Sequence, residues 1–144
     1  GGLTVKFSGS AGLATTSATT DSNGNFDLLT TASQLGEVDA NVIDVWGNQA
    51  SASTTLMVMP PEVSLNAISL GNGEWQFVGS VSGMDVADDT VQLSGLASAT
   101  VTPNANGSFS VTVYLGSDDP IGSEYASATD VWGQTGSQQS YTFC

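Results

Sequence analysis

Apolar side chains recur at every second position over several short stretches of the chain. Phe109, Val111, Val113 and Leu115 alternate with polar residues, and so do Val91 and Leu93. Trp75, Phe77, Gly79 and Val81 share one face of another stretch. A period of two belongs to a half-buried strand. The pattern predicts strands near 62–69, 74–82, 90–95, 98–103, 108–115, 123–130 and 136–143. Nearer the start, Val5, Phe7, Phe26, Leu28, Val38, Ala40 and Val42 supply matching inward positions. Asn-Gly pairs at 23–24 and 106–107 stand between alternating runs, which reads as a pair of β-hairpins. No helical period of useful length appears.

The chain also repeats itself. Residues 44–48 read DVWGN and residues 130–134 read DVWGQ, which places Trp46 and Trp132 86 positions apart. LTVKFSG at 3–9 resembles DTVQLSG at 89–95 at the same offset. SNGNF at 22–26 resembles ANGSF at 105–109 at an offset of 83. Three matches in one order give two units, 1–59 and 60–144, divided at Pro60-Pro61, where tandem prolines stiffen an extended junction. The fold class expected is all-β: two tandem Ig-like Greek-key β-sandwiches, with turns regularly spaced between short strands. The first unit lacks counterparts of the two strands at 62–69 and 74–82. Upstream sequence or another chain is expected to supply them, the former being favoured because repeat arrays usually run longer than two units.

The pattern W-x-F-x-G-x-V-S-G at Trp75 to Gly83, then T-V-x-L-S-G at Thr90 to Gly95, continues the second unit. N-G-x-F-x-V-x-V at Asn106 to Val113 and T-D-x-W-G at Thr129 to Gly133 complete it. This series resembles the bacterial Ig-like repeats of very large surface proteins. It covers the whole second unit and the last five strands of the first. The resemblance implies stalks, spacers, adhesin arms or filament components, and an extracellular location at a cell surface or in a fibre.

Charge narrows the partners. Fourteen acids face one base, Lys6, and there is no Arg or His, for a formal net charge of −13. Nucleic-acid binding needs cations that replace phosphate counterions, so that class is excluded. No apolar run approaches the roughly 20 residues of a membrane span, and direct insertion is not expected. Cys144 is the only cysteine, so no internal disulfide forms. Acids without basic partners are either solvated or neutralised by metal, which brings Ca²⁺ into consideration as the one cofactor.

Two sets of side chains are candidates for calcium. Asp21, Asn23 and Asp27 space oxygen ligands along one turn, and Asp85, Asp88 and Asp89 cluster ahead of the strand at Thr90. Against the metal stand an Asx turn at the first set and solvated surface acid at the second, and both of these readings are preferred. Asp118 and Asp119 form a further acidic loop. Asp44 and Asp130 are expected to accept backbone N–H bonds at the start of their turns, with Gly47 and Gly133 taking the left-handed position. Trp46 and Trp132 then fall at hairpin tips. They are expected to pack under a neighbouring loop or domain rather than to face a glycan, since large aromatics are rarely left exposed.

Catalysis has little to draw on. Without His there is no Ser-His or Cys-His pair, and a zinc site lacks its usual ligands. Nothing marks a working carboxylate pair. The chain is therefore expected not to be an enzyme. The expectation is a structural module that acts by spacing and self-association with neighbouring repeats or copies of the same protein. The alternative is an adhesion module that binds a glycan or a partner protein.

Overall fold

A computed structural model describes residues 1–144. The chain divides into two units, Gly1–Val58 and Met59–Cys144. Every strand pairing is antiparallel, and the only helical element is one 3₁₀ turn at Val86–Asp88.

The first unit holds four strands: β1 (Thr4–Ser8), β2 (Ser17–Thr19), β3 (Gly36–Ile43) and β4 (Gln49–Leu56). They make a single sheet in the order β2-β1-β3-β4. Val5 lies opposite Val42 and Phe7 opposite Ala40, so the apolar positions of β1 and β3 share one face. Val5 and Ala11 are its only fully buried apolar residues.

The second unit holds β5 (Glu62–Val63), β6 (Asn66–Gly71), β7 (Glu74–Ser82), β8 (Thr90–Gly95), β9 (Ala99–Val101), β10 (Ser108–Tyr114), β11 (Gly122–Thr129) and β12 (Gln139–Phe143). One sheet runs β12-β11-β8-β9. In the other, β7 pairs with β10, β5 and β6. Side chains of both sheets meet in one core of Trp75, Phe77, Val81, Val91, Leu93, Phe109, Ala126, Ala128 and Phe143, as in a β-sandwich. Phe143 ties the sheets together: its ring meets Trp75 edge-on at 4.9 Å and Phe77 at 6.2 Å. The strand expected at 62–69 is broken in two. β5 pairs with Ser82 and Val81, and β6 pairs with Val78 back to Glu74. Between them the chain crosses so near Gly79 that a Cβ there would run into the Ser64 carbonyl oxygen.

The two units repeat in register as well as in sequence. β4-β3-β1-β2 corresponds to β12-β11-β8-β9. Val91 opposes Ala128 and Leu93 opposes Ala126, the same pairs as Val5–Val42 and Phe7–Ala40 moved by 86 positions. Gly9 and Gly95 both take positive φ, at 117° and 110°. A Cβ at either would strike a carbonyl oxygen across the ladder, Glu37 O or Ser123 O.

Two expectations are corrected. The Asn-Gly turns do not join the strands of a hairpin ladder. β9 and β10, on either side of Asn106-Gly107, belong to different sheets, so the turn carries the chain from one sheet to the other. Nor does the stretch 25–31, the counterpart of β10, form a strand. Phe26, expected in the core, is 47% exposed, and Leu28 is only half-buried. The physical reason is the same for both residues: β10 is held by its ladder to β7, and the first unit has no strand in that place.

Candidate functional site

The Asp-Val-Trp-Gly turns are built from the backbone outward. In the β3–β4 hairpin the Gly47 amide donates to Asp44 O at 3.1 Å, and the Asp44 amide donates to Asn48 O at 2.9 Å. Gly47 takes φ 84°, which completes a type I turn followed by a left-handed residue. Asp44 Oδ1 accepts from the amides of Trp46 and Asn48, and its Oδ2 accepts from Asn48 Nδ2. The Asn48 amide group, ahead of the backbone donors, holds the Asp44 carboxyl below its ordinary value.

The turn at Asp130 repeats this arrangement. Oδ1 accepts from the Trp132 and Gln134 amides at 3.0 and 2.9 Å, and Oδ2 accepts from Gln134 Nε2 at 3.0 Å. Gly133 takes φ 83°. The turns at Asp21–Asn25 and Asn104–Ser108 close with the same two backbone bonds, around Gly24 at φ 85° and Gly107 at φ 87°. All four turns are therefore one device, Asp/Asn-x-x-Gly-x; the Asx turn preferred at Asp21 belongs to it, and the Asn-Gly pairs at 23–24 and 106–107 fall inside it rather than forming two-residue hairpin turns. The signal was present: each has Asp or Asn three positions before Gly.

That geometry bears on the calcium candidates. Asp21 Oδ1 accepts the Asn23 and Asn25 amides at 2.8 and 2.9 Å, so this oxygen closes the turn. Asp118 Oδ1 accepts the Gly73 amide at 2.6 Å and ties one loop to the β6–β7 turn. Trp75 Nε1 donates to Ser117 O beside it. Asp85 takes a left-handed conformation, φ 52°, at the start of the 3₁₀ turn. Asp88 lies on that turn, and Asp89, which follows it, is buried with Oδ2 lacking a partner. No three acidic or thiol side chains come together in an arrangement that would hold a metal ion.

The two turn tryptophans differ in how far they are covered within this chain. Trp46 is 83% exposed and Trp132 39% exposed. The turn is secured by the carboxylate and the glycine, so nothing in it requires the indole to be covered.

Two buried carboxyls were not recognised in the sequence. Glu124 is wholly buried on the core-facing side of β11, in line with Ala126 and Ala128. Burial raises its pKa, and the bond from the Ala97 amide opposes this only in part. Burial also raises Asp89, helped by the negative charges of Asp130, Asp88 and Asp85. The period-two alignment of Glu124 with two inward alanines was the available signal.

Comparison of the chain with protein-family models finds no match, and comparison with curated proteins finds none either.

Proposed function

We propose that the chain is a structural module of Ig-like repeats from an extracellular bacterial surface protein or fibre, working by spacing and self-association. The observation that carries this reading is the repetition of the Asp44 and Asp130 turns, bond for bond, with the β1–β3 and β8–β11 registers. A chain that reproduces one scaffold twice, with the Asp44 and Asp130 carboxylates tied to its own backbone, suits a load-bearing or spacing role. Immunogold electron microscopy of the source cells, with antibody raised against this chain, tests the proposal. Label on the cell surface or on fibres is expected. Label confined to the cell interior would overturn it.

A second reading has its own observation. Trp46 presents a largely open indole at a hairpin tip, and Trp132 occupies the same place in the second unit. An exposed aromatic face stacks on sugar rings, so adhesion to a glycan is the alternative. A glycan-array screen in which Trp46→Ala and Trp132→Ala lose a signal seen with the parent would favour adhesion over spacing.

A further inference from the structure

The first unit carries an apolar cleft with no second layer over it. Val5, Phe26, Ala40, Val42, Ala50 and Ala52 line it, around a volume of about 180 Å³. At the repeat offsets in the second unit stand Val91, Phe109, Ala126 and Ala128, and these are buried in one cluster with Trp75, Phe77 and Val81 of β7. Phe26 closes part of the cleft through an edge contact with Phe7 at 5.7 Å, yet it stays 47% exposed, and Leu29 is 98% exposed.

The backbone points the same way. β10 gains its order from β7, with seven paired positions from Ser108–Ser80 to Tyr114–Glu74. Its counterpart, 25–31, has the same closing turn at Asp21–Asn25 and then forms no strand ladder; only its end is held, where Thr31 O accepts the Ala14 amide at 2.9 Å and Thr30 Oγ1 the Thr15 amide at 2.9 Å. The loss of regular structure is confined to the segment that such a strand would pair with. The inter-sheet interface of the second unit therefore shows what occupies the corresponding place.

We propose that the cleft of the first unit is the docking site for a β-hairpin of this same repeat type, supplied by polypeptide outside these 144 residues. Its inner strand pairs with 25–31 and lies across β1 and β3, as β7 pairs with β10 and lies across β8 and β11. The chemistry of the occupant follows from the second unit. Large aromatic side chains fill the positions of Trp75 and Phe77. A glycine faces Phe26, because Gly79 faces Phe109 and a Cβ on Gly79 would meet the Phe109 ring at 2.7 Å. Another copy of this chain does not meet the need, since its β6 and β7 already cover its own core. Strand addition of this kind satisfies an apolar face and a free backbone edge together. The inference uses the repeat relationship but not the location or role of the parent protein. The microscopy above and the test below therefore fail independently.

The test copies residues 60–89 and joins the copy directly ahead of Thr4 in the 144-residue chain, which sets β5-β6-β7 ahead of β1 as they stand ahead of β8. Hydrogen exchange then reports on the amides of residues 26–31. Slowing by roughly 100-fold relative to the parent chain is expected, as these amides pass from a segment without a strand ladder into one. Phe77→Asp or Gly79→Val within the copied segment should abolish the slowing and leave the second unit unaffected. A second arm adds a synthetic peptide of residues 62–83 to the unmodified chain and follows its amide resonances. Shifts clustered at Phe26–Thr31, Val5 and Val42 are expected. Unprotected 26–31 amides in a folded graft, or a peptide that shifts no resonance of the first unit, would overturn the proposal. So would a dimer of the unmodified chain in which β7 pairs across copies, because the occupant would then be a second copy.

Discussion

Glu124 Oε2 accepts the amide of Ala97 at 2.8 Å, and its other oxygen is buried without a partner. In the first unit the equivalent amide, Ala11, donates to the main-chain oxygen of Glu37 at 3.1 Å, and Val38 stands where Glu124 would be. A carboxyl in the second unit thus does what a carbonyl does in the first, and it carries a desolvation cost in its charged form.

That cost gives stability a pH dependence of definite sign. Burial raises the folded-state pKa of both Glu124 and Asp89 above their ordinary values. Their contribution is complete below the unfolded values and is lost as pH rises through the raised folded values. The melting midpoint of the second unit should therefore fall as pH rises from about 4 toward neutrality. Glu124→Gln keeps an acceptor for Ala97 and removes the charge, so it should flatten that fall and raise the midpoint at pH 7. Asp44 has the opposite sign: its lowered pKa contributes stability above its ordinary value that is lost as acid titrates it. Thermal melts of the parent and of Glu124→Gln between pH 3 and 8 check both signs. A midpoint that climbs steadily to pH 7 in the parent would refute the burial argument.

Two glycines with positive φ should respond very differently to alanine. Gly133 has φ 83° and open space around its missing Cβ. Gly133→Ala should cost only the left-handed conformation, about 1–2 kcal/mol. Gly95 has φ 110°, and a Cβ there would strike Ser123 O, with Tyr125 Cδ2 at 3.1 Å. Gly95→Ala has to push the β8–β11 ladder apart and should cost roughly 4 kcal/mol or more. Urea denaturation of both variants tests the contrast, and equal losses would show that the contact relaxes freely.

The strands of the second unit were legible because alternation marks one buried face, and that face exists: Val91, Leu93, Phe109 and Ala126 all lie in the core. The same alternation misled at Phe26 and Leu28. Local pattern states what a strand would bury, whereas a ladder partner some 30 residues away in sequence decides whether it forms. Asn106-Gly107 was legible as a turn but not as a crossing between sheets, since the turn chemistry is the same in both cases. Asp89 and Glu124 were obscured by the ordinary expectation that carboxylates lie outside. Trp46 finds no cover among these 144 residues, and its turn, held by Asp44 and Gly47, does not require one.

Calcium should act on this protein only as a screening ion. Burial, and after it the negative charges of Asp130, Asp88 and Asp85, raise Asp89, yet no three acids form a metal cage. Raising NaCl from 0.01 to 0.15 M should increase the melting midpoint, because it shortens the reach of repulsion from about 30 to 8 Å. At matched ionic strength, Ca²⁺ and Mg²⁺ should give the same midpoint. A shift with Ca²⁺ alone that Asp85→Asn abolishes would show a cation site assembled on binding.

Phe26 and Phe109 occupy the same place in the repeat, and they should be worth very different amounts. Phe109 is buried between the sheets, so Phe109→Ala should cost about 3–5 kcal/mol, counting both the lost transfer energy and the cavity left behind. Phe26 keeps much of its surface in water and has the ring of Phe7 as its aromatic neighbour. Phe26→Ala should cost about 1 kcal/mol, the centre of the distribution for point changes without a core cavity. The two units have separate buried sets, so unfolding need not be a single transition. Hydrogen exchange resolved by residue is therefore the right measurement. Phe109→Ala should speed exchange throughout β7, β8, β10 and β11, while Phe26→Ala should alter only the amides near Phe7 and 25–31. Equal penalties at the two positions would mean that the first unit already covers its phenylalanine in solution, and the cleft over Val5, Ala40 and Val42 would not be open.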